Sequence, residues 1–177
     1  MSNWKIWIDT GGTFTDCIAV GPAGETRRTK VLSNSSLRGT LTEQITPTRF
    51  RFSHRWDAAE DIFQGYRCRL SGFSAGDIFI KKIDFQNGVA ELSEPLPQAF
   101  PVPLTFEITA GEEAPVLAAR LVTLTPLNRP LPPIEMRLGS TKGTNALLEK
   151  KGARTAFLIT KGFRYLVYIG TQQRPSL

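Results

Sequence analysis

Apolar residues form two short runs near the N-terminus, separated by a polar segment that contains a glycine pair. Residues 6–8 are apolar, residues 9–16 read D-T-G-G-T-F-T-D, and residues 17–20 are apolar again. Apolar runs rich in β-branched residues on both sides of a glycine turn predict a strand, a tight turn and a second strand. Residues 26–32 have the pattern of a third strand.

Short strand-like runs dominate the middle of the chain, after a polar segment at residues 33–40 that we interpret as a loop. Asn87-Gly88 lies between two alternating runs, which predicts a two-residue hairpin turn. Together the runs predict a small antiparallel β subdomain, and they occupy residues 49–52, 66–70, 79–86, 89–92 and 104–108.

Helical signals appear after this block. Glu112, Glu113 and Pro115 suit a helix N-terminus, and the apolar stripe that follows ends before Pro126. A strand is predicted at residues 134–138.

The last part of the chain predicts a strand–helix–strand unit. A loop at residues 139–145 leads into a predicted helix at 146–151, with Gly152 as its C′ residue, and the apolar run 155–160 predicts the next strand. Such a unit predicts a right-handed crossover and parallel pairing of its two strands.

The predicted fold class is therefore α/β (α+β overall), with a mixed sheet that is interrupted by the β subdomain. We expect the α/β lobe to comprise residues 1–48 and 109–177, and the inserted subdomain to comprise residues 49–108.

Composition narrows the class of protein. The chain has 177 residues, of which 41% are hydrophobic and 21% charged, as in a globular protein. It has no apolar run of about 18 residues and no signal-peptide pattern, so a soluble cytoplasmic protein is expected. Cys17 and Cys68 form no C-x-x-C, and His54 is the one histidine, which argues against zinc sites and Ser–His–Asp chemistry.

The net charge of +6 raises the possibility of a nucleic-acid partner. The basic residues are dispersed, which favours a solvated surface. Within the β block, aromatic and arginine side chains interleave, as in single-strand-binding surfaces, but aromatics at alternating strand positions more often form a core. The residues concerned are Phe50, Phe52, Trp56, Tyr66 and Arg49, Arg51, Arg55, Arg67.

The turn at residues 9–16 carries more chemistry than a hairpin needs. Gly11 and Gly12 permit positive φ and a close approach of backbone N–H groups to a ligand, and successive N–H groups form an anion site. Asp9, at the end of a strand, can hold a hard cation directly or through water. The alternative is a plain turn with solvated side chains.

The loop at residues 139–145 reads G-S-T-K-G-T-N and opens onto a helix N-terminus, which can bind an anion or a developing oxyanion. It is not a Walker A loop, because Lys142 precedes Gly143. The alternative is an ordinary helix cap by Thr144 or Asn145.

These motifs resemble a known family. The string at 9–16 is similar to the N-terminal signature of the hydantoinase/5-oxoprolinase family, and more distantly to the D-x-G-x-T phosphate loop of the actin, Hsp70 and hexokinase superfamily. Residues 139–149 resemble the family segment H-G-T-T-x-x-T-N-A-L-L-E, and residues 162–175 its G-F-R-D…I-G-R-Q…R-P run. A weaker resemblance extends through residues 112–133. The departures are Leu138 for His, Ser140 for Thr and Tyr165 for Asp.

The resemblance implies an actin-like, ribonuclease H-like lobe and ATP-dependent opening of a cyclic amide, with ATP and Mg²⁺ as cofactors. It places Gly11, Gly12 and Thr13 on the phosphates and Asp9 on magnesium through water. Thr15 and Asp16 would support or orient the loop, and Gly139 to Asn145 would reach the substrate or the far side of the nucleotide. The implied catalytic residues are Asp9, Asp16, Thr141 and Asn145, and the implied cofactor-binding residues are Gly11, Gly12, Thr13, Thr15, Gly139 and Ser140.

Superfamily members close two lobes around ATP, and no second D-x-G-x-T turn follows in this chain. We therefore expect an N-terminal fragment, inactive or nearly so alone. Its expected partners are a small cyclic amide and the rest of its own chain or a partner subunit, with no membrane and no nucleic acid. Two alternatives stay open: a lobe of a sugar- or acetate-kinase-like phosphotransferase, and a non-catalytic binding module that uses the β subdomain.

Overall fold

The structure is a computed structural model that describes residues 3–54, 56, 62–73, 77–96, 100–166 and 168. The described residues form a four-stranded sheet, a closed barrel and two helices. In chain order the elements are β1 Trp4–Thr10, β2 Phe14–Val20, β3 Thr26–Leu32, β4 Leu37–Thr46, β5 Arg49–Ser53, β6 Arg67–Leu70, β7 Ile78–Asp84, β8 Val89–Leu92, β9 Leu104–Thr109, α1 Ala114–Thr123, β10 Ile134–Ser140 and α2 Lys142–Leu148.

The sheet has the strand order β10-β1-β2-β3 and is mixed. β1 pairs in parallel with β10, whereas the β1–β2 and β2–β3 pairs are antiparallel. Helix α1 covers one face, where Ile6, Ile8 and Ala19 of the strands pack with Leu117 and Leu121 of the helix in the core. The predicted hairpin, third strand and α+β class are confirmed.

Residues next to helix α1 in the sequence cap both of its ends. Glu113 is its N-cap, Pro115 occupies the first turn, and Leu124 ends it in the left-handed conformation. Arg120, 8% exposed, forms a two-bond ion pair with Glu112 at 2.7 Å. Its Nη1 donates to the carbonyls of residues 126 and 129, so one buried guanidinium fixes the connector that leads to β10.

The barrel closes in the order β4-β5-β8-β7-β6-β9. It begins at Leu37, ahead of the predicted boundary at residue 49, so the loop predicted at 33–40 is wrong from residue 37 onward. Leu37, Gly39 and Leu41 alternate inward, and Gly39 is small because the Phe106 ring fills its space: a Cβ there would lie 2.5 Å from Phe106 Cζ.

Aromatic side chains fill the barrel. The Phe50 and Phe106 ring centroids lie 5.1 Å apart in an edge-to-face arrangement, and Phe52 stacks on Trp56. The four aromatics weighed as stacking platforms are buried, so the core interpretation is confirmed for Phe50, Phe52, Trp56 and Tyr66. Arg55, considered with them, lies outside the described residues.

The chain leaves the barrel beside the point where it enters. The Thr109 hydroxyl donates to the carbonyl of Ser35 at 2.7 Å, and the Ser36 hydroxyl donates to Glu107 Oε2 at 3.0 Å. The first strand and the last strand of the barrel are neighbours, since β4 pairs with β9. The barrel is therefore an insertion between β3 and α1 whose two ends meet.

The turn between β7 and β8 is longer than predicted. Asp84 pairs with Val89, so residues 85–88 form a four-residue loop in place of a two-residue Asn-Gly turn. The Asp84 carboxylate accepts bonds from the backbone N–H and side-chain amide of Asn87, and Gly88 has φ +61. The side-chain cap of Asp84 explains why the shorter turn is not used.

The C-terminal part differs most from the prediction. Helix α2 spans residues 142–148 where 146–151 was expected; its N-cap is Thr141, and its C-cap is Glu149, so Gly152 is not the C′ residue. The strand expected at 155–160 is absent: residues 151–160 are exposed and have no regular secondary structure. An apolar run forms a strand only when a neighbouring strand binds its backbone, and no such strand lies beside it in the described structure.

Among the described residues, no helix combines the length and apolarity needed to cross a bilayer.

Both cysteines are expected to be unreactive in the folded protein. Burial raises the pKa of the Cys17 thiol and of the Cys68 thiol to about 12 each, so almost no thiolate exists at pH 8. Iodoacetamide labelling followed by mass spectrometry should show no alkylation at pH 8 and complete alkylation of both residues in denaturant. Rapid labelling of either residue without denaturant would contradict their burial.

Candidate functional site

The tip of the β1–β2 hairpin is a short, exposed loop. The backbone N–H of Gly11 donates to the Phe14 carbonyl at 2.9 Å, which leaves Gly12 and Thr13 at the tip. Neither glycine has positive φ, so the expected left-handed backbone is not the reason for them. Space is the reason: a Cβ on Gly11 would lie 3.1 Å from the Phe14 carbonyl oxygen, and one on Gly12 3.1 Å from Asn145 Nδ2.

Ser33 braces this loop from behind. Its hydroxyl donates to the Gly11 carbonyl and its backbone N–H donates to the Thr13 carbonyl, both at 2.9 Å. The Thr15 hydroxyl lies 3.2 Å from Ser33 Oγ and its residue is fully buried. Two roles were expected for Thr15, support of the loop and cofactor binding. Its burial and its contact with Ser33 fit support of the loop, and its buried hydroxyl does not face the exposed side where a ligand would bind. The sequence gives no local signal for Ser33, which lies in an ordinary polar segment.

Donors at the tip of the loop are free. In the described part of the chain, the backbone N–H groups of Gly12 and Thr13 and the Thr13 hydroxyl have no protein acceptor. Both residues are exposed. Two adjacent N–H groups and a hydroxyl at the end of a rigid hairpin can bind an anion such as a phosphate.

Two carboxylates lie side by side next to the loop. Asp9 and Asp16 are paired across β1 and β2, on the sheet face that α1 leaves open. Asp16 accepts both its bonds from Lys30 Nζ, at 2.8 and 2.9 Å. Asp9 is exposed and has no hydrogen bond or ion pair within the described structure. Asp9 is thus the carboxylate available to an external cation, because Lys30 already neutralises Asp16.

The second predicted loop lies against the first. Gly139 pairs with Asp9 and Ser140 with Thr10 in the β10–β1 register, and the Thr141 N–H donates to the Thr10 carbonyl at 3.1 Å. The Asn145 side chain lies against Gly12 and bonds weakly to the Thr141 hydroxyl at 3.4 Å. The parallel pairing of β10 with β1 therefore brings both sets of predicted site residues to one end of the sheet.

Comparison with known families now decides the class of the chain. Residues 5–61 and 127–177, more than half of the sequence, match the model of the hydantoinase/oxoprolinase N-terminal region. The chain belongs to this family. Both loops of the site lie within the matched residues, whereas most of the barrel and α1 lie in the unmatched residues 62–126. Of the weaker resemblance at 112–133, only residues from 127 onward are covered.

Individual relatives match over a short stretch. The chain is 55% identical over 42 residues to 5-oxoprolinase 1 of Arabidopsis thaliana and 48% identical over 42 residues to 5-oxoprolinase of Saccharomyces cerevisiae. An uncharacterized protein of Schizosaccharomyces pombe is 64% identical over 42 residues. Each match covers 24% of this chain and only 3% of the relative. No solved structure matches.

Proposed function

We propose that this chain is the N-terminal lobe of an ATP-dependent hydrolase of cyclic amides, of the 5-oxoprolinase or hydantoinase type, and that it contributes the first phosphate-binding loop. The observation that carries the proposal is the loop tip, where Gly12 and Thr13 present three unpaired donors beside the unpaired carboxylate of Asp9. Family membership and the 5-oxoprolinase relatives support the substrate class.

The residues suit ATP with Mg²⁺. The free donors of Gly12 and Thr13 would bind phosphate oxygens, and Asp9 would hold the cation through water. No group of three or more His, Cys, Asp or Glu side chains suited to a metal occurs in the described ranges. This agrees with Mg²⁺, which keeps several waters and is bound by one or two carboxylates together with substrate phosphates.

A cyclic amide opens poorly by direct attack of water, because resonance stabilises the amide bond. ATP would supply a phosphoryl group that activates the amide oxygen. The chain's own residues position and stabilise, since phosphoryl transfer depends mainly on orientation and electrostatics. Asn145, whose side chain lies against Gly12 and bonds to the Thr141 hydroxyl, would with Thr141 reach the substrate or the far side of the nucleotide. Lys30 bonds to both carboxylate oxygens of Asp16 and so orients that side chain.

One departure from the family pattern lies close to the proposed cation site. Leu138 is paired with Ile8, one position before the Asp9–Gly139 pair, is exposed, and lines one pocket together with Asp9 and Asp16. Leucine in place of histidine therefore leaves this position of the pocket without a side chain that can bind a proton or a cation.

The proposal is tested by ATP hydrolysis in the full-length protein. 5-Oxoproline or a hydantoin should stimulate phosphate release and be opened in stoichiometric amounts. Stimulation by a sugar or by acetate instead would favour the kinase alternative. Absence of ATP hydrolysis with every compound would remove the enzymatic proposal and leave the binding-module alternative.

Replacement of Thr13 by alanine is expected to lower kcat/KM for ATP about 10- to 100-fold, because it removes a hydroxyl donor to a charged phosphate. The measurement is steady-state ATP hydrolysis with saturating 5-oxoproline. Thr26→Ala, at an exposed position at the start of β3, is the matched control and should behave as wild type. Equal effects of the two substitutions would argue against a phosphate contact.

A further inference from the structure

A groove of about 750 Å³ lies between the sheet and the barrel. It is bounded on the sheet side by Phe14 and Lys30 and on the barrel side by Arg38, His54, Trp56 and Thr105. A volume of this size is within the range of small-molecule sites. Neither the family match nor the relatives give this groove a role.

The groove adjoins the phosphate loop. Phe14 follows the loop tip directly, and its carbonyl closes the turn by accepting from Gly11. Lys30 lines the groove and bonds to Asp16, which is paired with Asp9 in the β1–β2 register. A ligand in the groove would therefore lie beside the loop whose residues Gly12 and Thr13 bind the phosphates in the proposed function.

One wall of the groove is aromatic and fixed. Trp56 is 7% exposed, and its indole N–H donates to the Arg38 carbonyl at 2.8 Å. The His54 ring centroid lies 4.5 Å from that of Trp56, and His54 has no hydrogen-bond partner among the described residues. The unpaired His54 Nδ1 atom is itself buried, so this wall offers a ligand a ring surface against which a planar ring can pack.

Two basic side chains that line the groove, Arg38 and Lys30, form exposed ion pairs that a bound ligand could replace. The Arg38 side chain is 57% exposed; its Nε and Nη2 donate to Glu107 Oε1, and its Nη1 donates to no acceptor in the described structure. Lys30 and Asp16 are each more than half exposed, and such ion pairs contribute little stability. Arg38 and Lys30 line the groove, so a carboxylate there could bind the two N–H groups of Arg38 Nη1 and the weakly held ammonium of Lys30.

We propose that this groove binds the cyclic-amide substrate, and that Arg38 and Lys30 select a cyclic amide that carries a carboxylate over a neutral one. The inference rests on the proposed function for the identity of the reaction. The amide ring packs on the wall formed by His54 and Trp56, and its carboxylate binds Arg38. Because Phe14 both lines the groove and closes the loop, a ring held there would lie next to the loop.

Arg38→Gln in the full-length protein tests the inference. We expect the KM for 5-oxoproline to rise about 10- to 100-fold, because a charge-assisted bond to the carboxylate is lost, whereas kcat and the KM for ATP stay within about twofold of wild type. The KM for an uncharged hydantoin should not change. Arg38→Lys should recover part of the affinity for 5-oxoproline.

Two control variants separate binding from barrel structure. Arg69 is paired with Glu107 from the opposite neighbouring strand and does not line the groove, so Arg69→Gln should leave the KM unchanged. Glu107→Gln removes the partner of Arg38 without removing the guanidinium. The inference is overturned if these variants raise the KM as Arg38→Gln does, if Arg38→Gln has no effect, or if the KM for the hydantoin rises equally.

Direct binding distinguishes a failure of this inference from a failure of the proposed function. Should the full-length protein not hydrolyse ATP with any cyclic amide, calorimetric titration with 5-oxoproline still tests the groove. Binding that is lost in Arg38→Gln and retained in Arg69→Gln supports the groove, and no binding to the wild type overturns it.

Discussion

Asp9→Asn is expected to reduce ATP-dependent cyclic-amide hydrolysis about 100- to 1,000-fold, the range found when one electrostatic stabiliser of a transition state is removed. Asp9 has no protein partner in the described structure, so its carboxylate is available to a hydrated cation. An amide at this position keeps the size of the side chain and removes its charge. The measurement is kcat at saturating ATP and 5-oxoproline, with magnesium varied, and the magnesium requirement should rise.

Glu135→Gln is the matched control. Glu135 is an exposed carboxylate on the same face of the sheet, near its other end, and is paired in register with Lys5 and bonded to Arg137. Its removal should change kcat less than twofold. Asp9→Asn should leave the thermal midpoint unchanged, because no contact within the protein is lost. Wild-type activity of Asp9→Asn would remove Asp9 from the proposed magnesium site.

The largest effect on stability is expected from loss of the Phe106 ring, which fills the barrel next to Gly39. Phe106→Ala should lower the free energy of unfolding by about 3–5 kcal/mol, because the ring is 1% exposed and packs on Phe50 and Phe52. Gly39→Ala should cost about 1–3 kcal/mol, because the new Cβ would lie 2.5 Å from Phe106 Cζ.

The double variant decides whether this clash is the cause. With the ring removed, the methyl group at residue 39 enters vacant space, so the double variant should be at least about 1 kcal/mol more stable than the sum of the single effects predicts. Urea unfolding of the three variants and the wild type measures this coupling. Strict additivity would show that Gly39 is required for another reason. Gly24→Ala is not a suitable control, because Gly24 has φ +86.

The N-terminal half of the site could be predicted because its signals are local. Apolar alternation fixes β1 and β2, and the sequence D-T-G-G-T-F-T-D identifies the loop between them. The parallel pairing that brings Gly139 to Asp9 is not predicted: the sequence pairs the strand at 134–138 with a run at 155–160, whereas the structure pairs it with β1 and shows no strand at 155–160. What these residues do in catalysis stays a prediction.

Other features depend on contacts that no local pattern reveals. The polar composition of residues 33–40 predicts a loop where β4 begins, and only the distant Phe106 ring explains the glycine at residue 39. Ser33 is an ordinary polar residue until the hairpin folds over it. The run at 155–160 has the composition of a strand, yet composition does not provide the neighbour that a strand needs.

The meeting of the two barrel ends has a consequence for how the chain tolerates change in length. A hydrogen bond joins Ser35 to Thr109, so the chain leaves the sheet for the barrel and returns from it at nearly the same point. The closure entropy of a flexible segment rises by only about 0.6 kcal/mol for each doubling of its length. A segment of different length inserted between β3 and α1 would therefore leave Asp9, Gly12 and Thr13 in place, provided that its two ends still meet.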